Sequence, residues 1–321
     1  MISINRLTTE IVHKMIRDSD ALGLNVLQLS NGATVIDAGV KVPGSLEAGR
    51  LFAEACLGGL GQVSLTRLVY EEVGKDPFWL PAVSVSVTYP HIACMGSQYA
   101  GWAVKREKFF AMGSGPARAL YAGEELYARL DYKDEAEVAI LLLEGRKLPK
   151  EDVVEYIAQK CRVQPECVTL LIAPTASLVG TVQIAARVVE TGMHKMVELG
   201  FDVRKVSAGY GVCPLATIAA DDLKAIGRTN DGVLYGGQAF YTVQASDEEL
   251  GELVSKVPSS TSRDYGTPFY ELFQRYGGDF YQIDPLLFSP AEVILNNTTS
   301  GRSFKAGKPN PALLRASLLE S

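Results

Sequence analysis

The chain contains 321 residues, of which 47% are hydrophobic and 21% are charged, a composition typical of a folded globular protein with about two domains. These values exclude a single small module and a chain that is disordered over most of its length. The 31 basic and 37 acidic side chains give a net charge of −6, and this mild acidity argues against a nucleic-acid partner.

The cysteines, the histidines and the N-terminal residues predict a cytoplasmic protein without a metal centre. The five cysteines are odd in number and form no C-x-x-C pair, so we expect reduced thiols rather than a disulfide framework or a zinc site. The three histidines, His13, His91 and His194, are scattered along the chain. The first residues form no apolar signal segment, and no uncharged run reaches the roughly 18 residues of a membrane-spanning helix. We therefore expect no membrane association.

Hydrophobic periodicity predicts both helices and strands in the first half of the chain. In chain order these are a helix at 1–22, strands at 25–29 and 33–37, a helix at 45–57, strands at 64–70 and 82–89, a helix at 117–130 and a strand at 137–143. Thr8 or Thr9 is the predicted cap of the first helix. The run Ser30-Asn31-Gly32 predicts a hairpin between the first two strands.

The second half of the chain continues the same mixture of elements. The predicted elements are a helix at 150–161, a strand at 167–173, a long helix at 178–199, a strand at 233–244, a helix at 268–276, a strand at Tyr281–Ile283 and a short helix or loose tail after Pro311. Hairpins mixed with crossovers indicate an α/β or α+β fold with mixed sheets rather than an all-parallel sheet. Charge, Gly and Pro cluster near Gly145–Lys150, so we predict an N-terminal domain at 1–147 and a C-terminal domain at 148–321, with segments that can be interlaced.

Two glycine-rich segments are candidates for ligand binding. Gly113-Ser114-Gly115 follows a predicted strand and precedes a predicted helix, where backbone N–H groups can hold an anion; the alternative is a tight turn. The segment Ser207–Pro214, which contains Tyr210, is predicted to be a loop at a strand end. Its Gly209-Tyr-Gly211 lacks the third glycine of a dinucleotide-binding motif, and no P-loop, zincin or nucleophile-elbow motif occurs in the chain.

The helix predicted at 178–199 carries four polar residues in one narrow stripe. Gln183, Arg187, Glu190 and His194 are spaced by four, three and four residues, so they lie on one side of an ideal helix. Arg187 and Glu190 can form an i, i+3 ion pair. Spacing alone favours a solvated face with a surface ion pair, but the apolar strand before the helix and the small residues of the connecting loop are typical of a pocket wall.

Several longer motifs resemble one protein family. They are Leu171-Ile-Ala-Pro-Thr-Ala-Ser, the run from Gly180 to Lys195 with Arg187 and Glu190 at its centre, Phe109-Phe-Ala-Met-Gly-Ser-Gly-Pro-Ala-Arg-Ala, Tyr210-Gly-Val-Cys-Pro-Leu-Ala, Asn230-Asp-Gly-Val-Leu-Tyr-Gly-Gly and Tyr265-Gly-Thr-Pro-Phe-Tyr-Glu-Leu-Phe. Together they resemble methenyltetrahydromethanopterin cyclohydrolase, an enzyme family of one-carbon metabolism in methanogenesis and methylotrophy. The resemblance extends over essentially the whole chain.

The resemblance implies a fold, an assembly and a catalytic pair. It implies two α/β-type domains with a large pocket between them and a homo-oligomer, with a trimer favoured. The family's catalytic arginine and glutamate fall on Arg187 and Glu190, which reverses the preference for a surface ion pair.

The resemblance also implies an activity, for which the sequence offers candidate binding residues. The activity is the reversible hydrolysis of the methenyl bridge of methenyltetrahydromethanopterin to the formyl compound, with no metal and no cofactor besides the pterin carrier itself. The candidate substrate-binding residues are Gly113, Ser114, Gly115, Gln183, His194 and Tyr210, and the aromatic candidates for stacking on the pterin are Tyr99, Trp102, Tyr210 and Tyr235. The alternatives are a non-catalytic pterin-binding protein and a folate-type formyl transferase.

Overall fold

A computed structural model describes residues 2–279 and 282–320. Its α-helices are α1 (Ile4–Arg17), α2 (Ser19–Leu22), α3 (Leu46–Cys56), α4 (Ala117–Tyr121), α5 (Leu126–Leu130), α6 (Glu151–Cys161), α7 (Leu178–Ala185), α8 (Val188–Glu198), α9 (Asp222–Asp231), α10 (Asp247–Val254), α11 (Phe269–Arg275) and α12 (Pro311–Leu318). Two π-helical segments, His91–Gln98 and Gly232–Gly236, and a few single 3₁₀ turns complete the helical structure of these residues.

Two mixed six-stranded sheets confirm the predicted α/β class. The strands are β1 (Asn25–Gln28), β2 (Thr34–Asp37), β3 (Gly61–Tyr70), β4 (Phe78–Thr88), β5 (Trp102–Arg106), β6 (Phe109–Ser114), β7 (Ala139–Glu144), β8 (Val168–Ala173), β9 (Val206–Pro214), β10 (Gln238–Val243), β11 (Glu292–Asn297) and β12 (Ser303–Gly307). The first sheet has the order β1-β2-β8-β7-β6-β5, and the second has the order β12-β11-β10-β9-β4-β3.

The described residues divide into two compact units, each built from separate stretches of chain. The first unit comprises the residues before Val63 together with His91–Gln183, and the second comprises Val63–Pro90 together with the residues from Ile184 onward. The boundary predicted at 147/148 falls inside the first unit, because β7 and β8 on either side of it are paired strands. Each unit is therefore discontinuous in sequence.

In the first unit, helices cover both faces of the sheet. The strands β2, β8 and β7 are parallel neighbours, and their nearly continuous apolar runs are typical of strands that are buried on both sides. Residues of α4 and α6 pack in the core on one face, and residues of α1, α2, α3 and the start of α7 pack in the core on the other. The helices that follow β7 and β8 thus lie on opposite faces of the sheet.

In the second unit, helix α8 lies against β9 and β10. Gly209 and Gly211 face this helix, and a Cβ atom at these positions would lie 2.6 Å from Val189 Cγ1 and 2.7 Å from Val188 Cγ1. The segment predicted as a strand-end loop is therefore the strand β9, and its glycines allow a helix to approach closely. The hydroxyl of Tyr241 on β10 donates to the carbonyl oxygen of Val189 at 2.8 Å.

Other differences from the predicted elements have local physical causes. The first helix is capped by Ser3, whose side chain accepts from the Arg6 N–H, whereas Thr8 lies within the helix and donates to the Ile4 carbonyl. The helix predicted at 117–130 is interrupted by Ala122, which has a φ of 46°. A short apolar run does not distinguish a strand from a buried helical turn, and the first part of the strand predicted at 233–244 is π-helical.

The strand predicted at Tyr281–Ile283 begins outside the described residues. Ile283 itself lies in a bend and contributes to the core around α11 and α12, so its apolar character reflects burial without strand pairing. Within residues 2–279 and 282–320, no helix combines the length and the apolar character needed to span a bilayer.

A buried carboxyl group in the second unit leads to a prediction about pH. Asp231 accepts from the Phe269 N–H at 2.8 Å and from the Ser317 hydroxyl, so it connects the start of α11 with α12. Burial raises the pKa of Asp231 to about 7. Because the folded state then holds this proton more tightly than the unfolded state, the stabilising contribution of Asp231 is complete below its ordinary pKa and is lost as the pH rises toward 7.

We expect Asp231→Asn to remove this pH dependence. Melting temperatures of both proteins at pH 5, 6, 7 and 8 would measure it, and the wild type should lose stability relative to the variant across this range. Parallel melting profiles would contradict the assignment. Asp222→Asn, at a half-buried position at the start of α9, serves as the control.

Candidate functional site

Arg187 and Glu190 form a buried ion pair at the start of α8. Arg187 Nη1 lies 3.8 Å from Glu190 Oε2, and the side chains are only 12% and 6% exposed. The alternative interpretation, a solvated ion pair on the protein surface, therefore does not apply. Glu190 is the third residue of α8, where the helix dipole favours a negative charge. Both the guanidinium and the helix terminus thus place positive charge beside this carboxylate.

Helix α8 is firmly held on the side away from solvent. The Lys195 ammonium is buried and donates to the carbonyl oxygen of Pro258 at 2.9 Å and to Thr261 Oγ1 at 2.8 Å. Burial lowers the pKa of Lys195 to about 8. Together with the Tyr241 hydroxyl on the Val189 carbonyl, these contacts fix the helix that carries Glu190, and a fixed helix limits the movement of its side chains.

The predicted stripe of four polar residues is divided by a break in the helix. Helix α7 ends at Ala185, and α8 begins at Val188. The Arg187 N–H donates to the carbonyl of Ile184, three residues back, which tightens the chain at the junction. His194 lies one turn after Glu190, with its Nε2 3.7 Å from Glu198 Oε1. Gln183 belongs to the first unit and Arg187, Glu190 and His194 belong to the second.

Gln183 is part of a polar cluster that the sequence analysis missed. Its Nε2 donates to Glu144 Oε2 at 3.2 Å, and Thr175 Oγ1 donates to Glu144 Oε1 at 2.5 Å. Glu144 is the last residue of β7, and Thr175 lies just beyond the end of β8. A charged residue directly after the apolar run Ala139–Leu143 was a usable signal, because ligands of parallel sheets bind at the carboxyl ends of strands.

Gly113, Ser114 and Gly115 have structural roles that favour the turn interpretation. Gly113 and Ser114 are the last residues of β6 and are paired with β7. Gly115 has a φ of 99°, and a Cβ atom there would collide with Leu142 Cδ1. Its N–H donates to the Ser97 carbonyl at 2.7 Å, so this backbone donor is already occupied. Substrate contact by these residues stays a prediction.

The chain matches a known protein family over nearly its whole length. The sequence model of the family described as Cyclohydrolase (MCH) matches residues 3–318. The chain belongs to this cyclohydrolase family. It is 48% identical over 321 residues to a protein of Methanocaldococcus jannaschii, covering 99% of this chain and 98% of the relative. The resemblance found in the sequence is therefore confirmed.

Two further relatives in the cyclohydrolase family match the chain over almost its whole length. The chain is 46% identical over 320 residues to a protein of Methanothermobacter marburgensis, covering 99% of both chains. It is 48% identical over 312 residues to a protein of Methylobacillus flagellatus, covering 97% of this chain and 94% of the relative. All three relatives carry the name methenyltetrahydromethanopterin cyclohydrolase.

The aromatic candidates in this cyclohydrolase chain differ in their surroundings. Trp102 is buried against Tyr121, with ring centroids 4.8 Å apart. Tyr235 is buried, and its hydroxyl donates to the Thr267 carbonyl at 2.7 Å. Tyr99 lies beside the guanidinium of Arg118. Tyr210 is 48% exposed on β9, so it presents a ring to solvent.

Proposed function

We propose that this protein catalyses the reversible hydrolysis of the methenyl bridge of methenyltetrahydromethanopterin to formyltetrahydromethanopterin. The observation that carries the proposal is the buried Arg187–Glu190 pair in a chain that matches the cyclohydrolase family from residue 3 to residue 318. The relatives' names supply the substrate.

Hydrolysis of this substrate requires a base and a correctly oriented water, and no further activation of the carbon. The methenyl carbon lies between two nitrogens of a resonance-stabilised cation and is already electrophilic. Glu190 accepts a proton from the attacking water, and its negative charge stabilises the cation. Arg187 holds the carboxylate in its ionised form and donates a hydrogen bond to the oxygen that is added to the carbon. The bond from this carbon to one of its two nitrogens then breaks as the added hydroxyl loses its proton. That nitrogen takes up the proton held by Glu190, so the formyl compound forms with the net release of one proton.

The absorbance of the methenyl cation tests this proposal directly. Mixing the cation with purified protein should cause its absorbance to fall rapidly without any added acceptor. Binding without loss would instead indicate a non-catalytic pterin-binding protein, and loss that requires an amine acceptor would indicate a formyl transferase. Running methenyltetrahydrofolate in parallel tests the carrier, and we expect the methanopterin derivative to be the better substrate.

We expect the activity to need no metal ion. The electrophile carries its own positive charge, so a Lewis acid is not required to activate it. In the part of the chain that the structure describes, no group of three or more His, Cys, Asp or Glu side chains is arranged to hold a metal. Full turnover after dialysis against a strong chelator is the expected result. A loss of turnover that zinc or another divalent ion restores would contradict it.

We also propose a cytoplasmic homotrimer. The trimer follows from the family resemblance, and three large apolar side chains that are exposed on β3 and β4, Leu65, Val69 and Trp79, support an interface between copies. The cytoplasmic location is supported by the five cysteines, all of which lie in the described residues as thiols. Light scattering at micromolar concentration should give about three times the 34.7 kDa chain mass, and a single-chain mass would contradict the proposal.

A further inference from the structure

The proposed reaction exchanges one proton with solvent in every cycle. During hydrolysis, Glu190 passes the first proton of the attacking water to the leaving nitrogen and accepts the second proton from the added hydroxyl, so it ends the cycle protonated. In the reverse direction the same carboxyl group gives up this proton and must take up another one before the next cycle. The side chain of Glu190 is only 6% exposed, so solvent has little direct access to it.

Proton supply from water alone is slow in the reverse direction. Diffusion brings two partners together at about 10⁹–10¹⁰ M⁻¹s⁻¹, so hydronium at neutral pH delivers about 10²–10³ protons per second. Enzymes typically turn over at about 1–10³ per second, so this supply is of the same order as turnover. An imidazole group exchanges protons readily near neutral pH, and a histidine next to the carboxyl group therefore removes the limit.

Helix α8 has one row of residues that leads from Glu190 toward solvent. Of the eleven residues of this helix, the three that are not buried are Thr191, His194 and Glu198. His194 follows Glu190 by four residues, which places the two Cβ atoms about 5–6 Å apart on one side of the helix. His194 Nε2 lies 3.7 Å from Glu198 Oε1, and these side chains are 19% and 43% exposed. Exposure thus increases along the row from Glu190 through His194 to Glu198.

We propose that His194 relays protons between Glu190 and solvent, with Glu198 at the outer end of the relay. The proposal rests on the proposed function, since that function makes Glu190 the proton acceptor. During hydrolysis the ring of His194 takes the proton of Glu190 directly or through one water, and it releases a proton from Nε2 to Glu198 or to water. The reverse direction runs the same transfers backward. This role needs no contact between His194 and the pterin.

The first test measures steady-state turnover with and without a soluble imidazole. His194→Gln keeps a polar side chain but cannot carry a proton. In dilute, bulky buffer at pH 7, formation of the methenyl cation from the formyl compound should fall by about tenfold, less than for a direct acid–base group because water still supplies protons. Added imidazole, at constant pH and ionic strength, should restore most of the turnover. The matched control is His13→Gln, at an exposed position of α1, which should behave as the wild type under both conditions.

The second test measures a single round of hydrolysis with enzyme in excess over the methenyl cation. No proton has to leave Glu190 before the first conversion is complete. His194→Gln should therefore consume the cation at a rate within about twofold of the wild type, since single-turnover kinetics separate the chemical step from later ones. A residue that shapes the site or contacts the pterin would slow this first round as well.

The outcomes separate the relay from the proposed function. Equal steady-state turnover of wild type and folded His194→Gln in dilute buffer would overturn the relay and leave the proposed function standing. A loss that imidazole does not restore, or that is equally large in a single turnover, would also overturn the relay and assign His194 to structure or to substrate contact. A wild type that converts the pterin in neither direction would overturn the proposed function and the relay together.

Discussion

Replacing Glu190 with glutamine is expected to abolish most turnover while leaving the fold intact. Glutamine has the same shape and can still accept a hydrogen bond from Arg187, but it can neither take a proton from water nor balance the charge of a cation. General acid–base groups typically contribute 10²–10⁴-fold in rate, and we expect a loss of at least about that size. The turnover number, with thermal melting alongside, measures it.

Arg187 provides the companion to this variant. Arg187→Ala should also reduce turnover severely, because it removes the guanidinium that lies 3.8 Å from the carboxylate and frees Glu190 to rotate. The double variant should be little worse than Glu190→Gln, since both changes act through one carboxylate. Near-normal turnover in a folded Glu190→Gln protein would remove the pair from the mechanism and place the catalytic residues elsewhere.

The largest effect on stability is expected from Arg118→Met. Arg118 is completely buried, forms an ion pair with Glu124 and donates to the carbonyl oxygens of Met95 and Ser97. Methionine fills the space but leaves Glu124 without its cation and two carbonyls without a donor. Removing one partner of a buried ion pair typically costs about 3–5 kcal/mol. Urea unfolding should show a free energy of unfolding that is lower by about this amount.

An exposed arginine of the same unit serves as the control. Arg6 pairs with Glu137, but the two side chains are 58% and 78% exposed. Solvent screens such a pair, so Arg6→Met should lower the free energy of unfolding far less than Arg118→Met does. Similar losses for the two variants would show that burial of Arg118 does not matter. Adding Glu124→Gln to Arg118→Met should recover part of the loss, because no unpaired carboxylate then remains.

Local sequence signals predicted most helices and strands. The apolar residues whose spacing indicates each element are the same residues that the element buries in the core. The Asn31-Gly32 turn produced the expected hairpin, and the helix predicted at 45–57 is capped by Ser45, as a helix start favours. The spacing of Arg187 and Glu190 was sufficient to pair them. It could not show that the pair is buried, because burial depends on the strands against which α8 packs.

The missed features depend on contacts between residues that are distant in sequence. Glu144 lies 31 residues before Thr175 and 39 before Gln183, and only the pairing of β7 with β8 brings them together. Gly209 and Gly211 suggested a loop that binds a ligand. In the structure, both positions lack a side chain because α8 packs directly against them. Hydrophobic periodicity also does not reveal the break between α7 and α8. The spacing of the polar residues fits one continuous ideal helix equally well.

The interlaced course of the chain has a consequence for biosynthesis. The first unit needs residues up to Gln183, and Val63–Pro90 belong to a unit whose other strands begin after Ile184. During translation, β3 and β4 therefore leave the ribosome long before β9, the strand that pairs with β4. Pairing between strands that are distant in sequence forms slowly, and the edges of the unpaired strands stay exposed until it is complete. A nascent chain halted before residue 206 would hold an unpartnered β4 edge, and such an edge can pair with another chain until β9 is made.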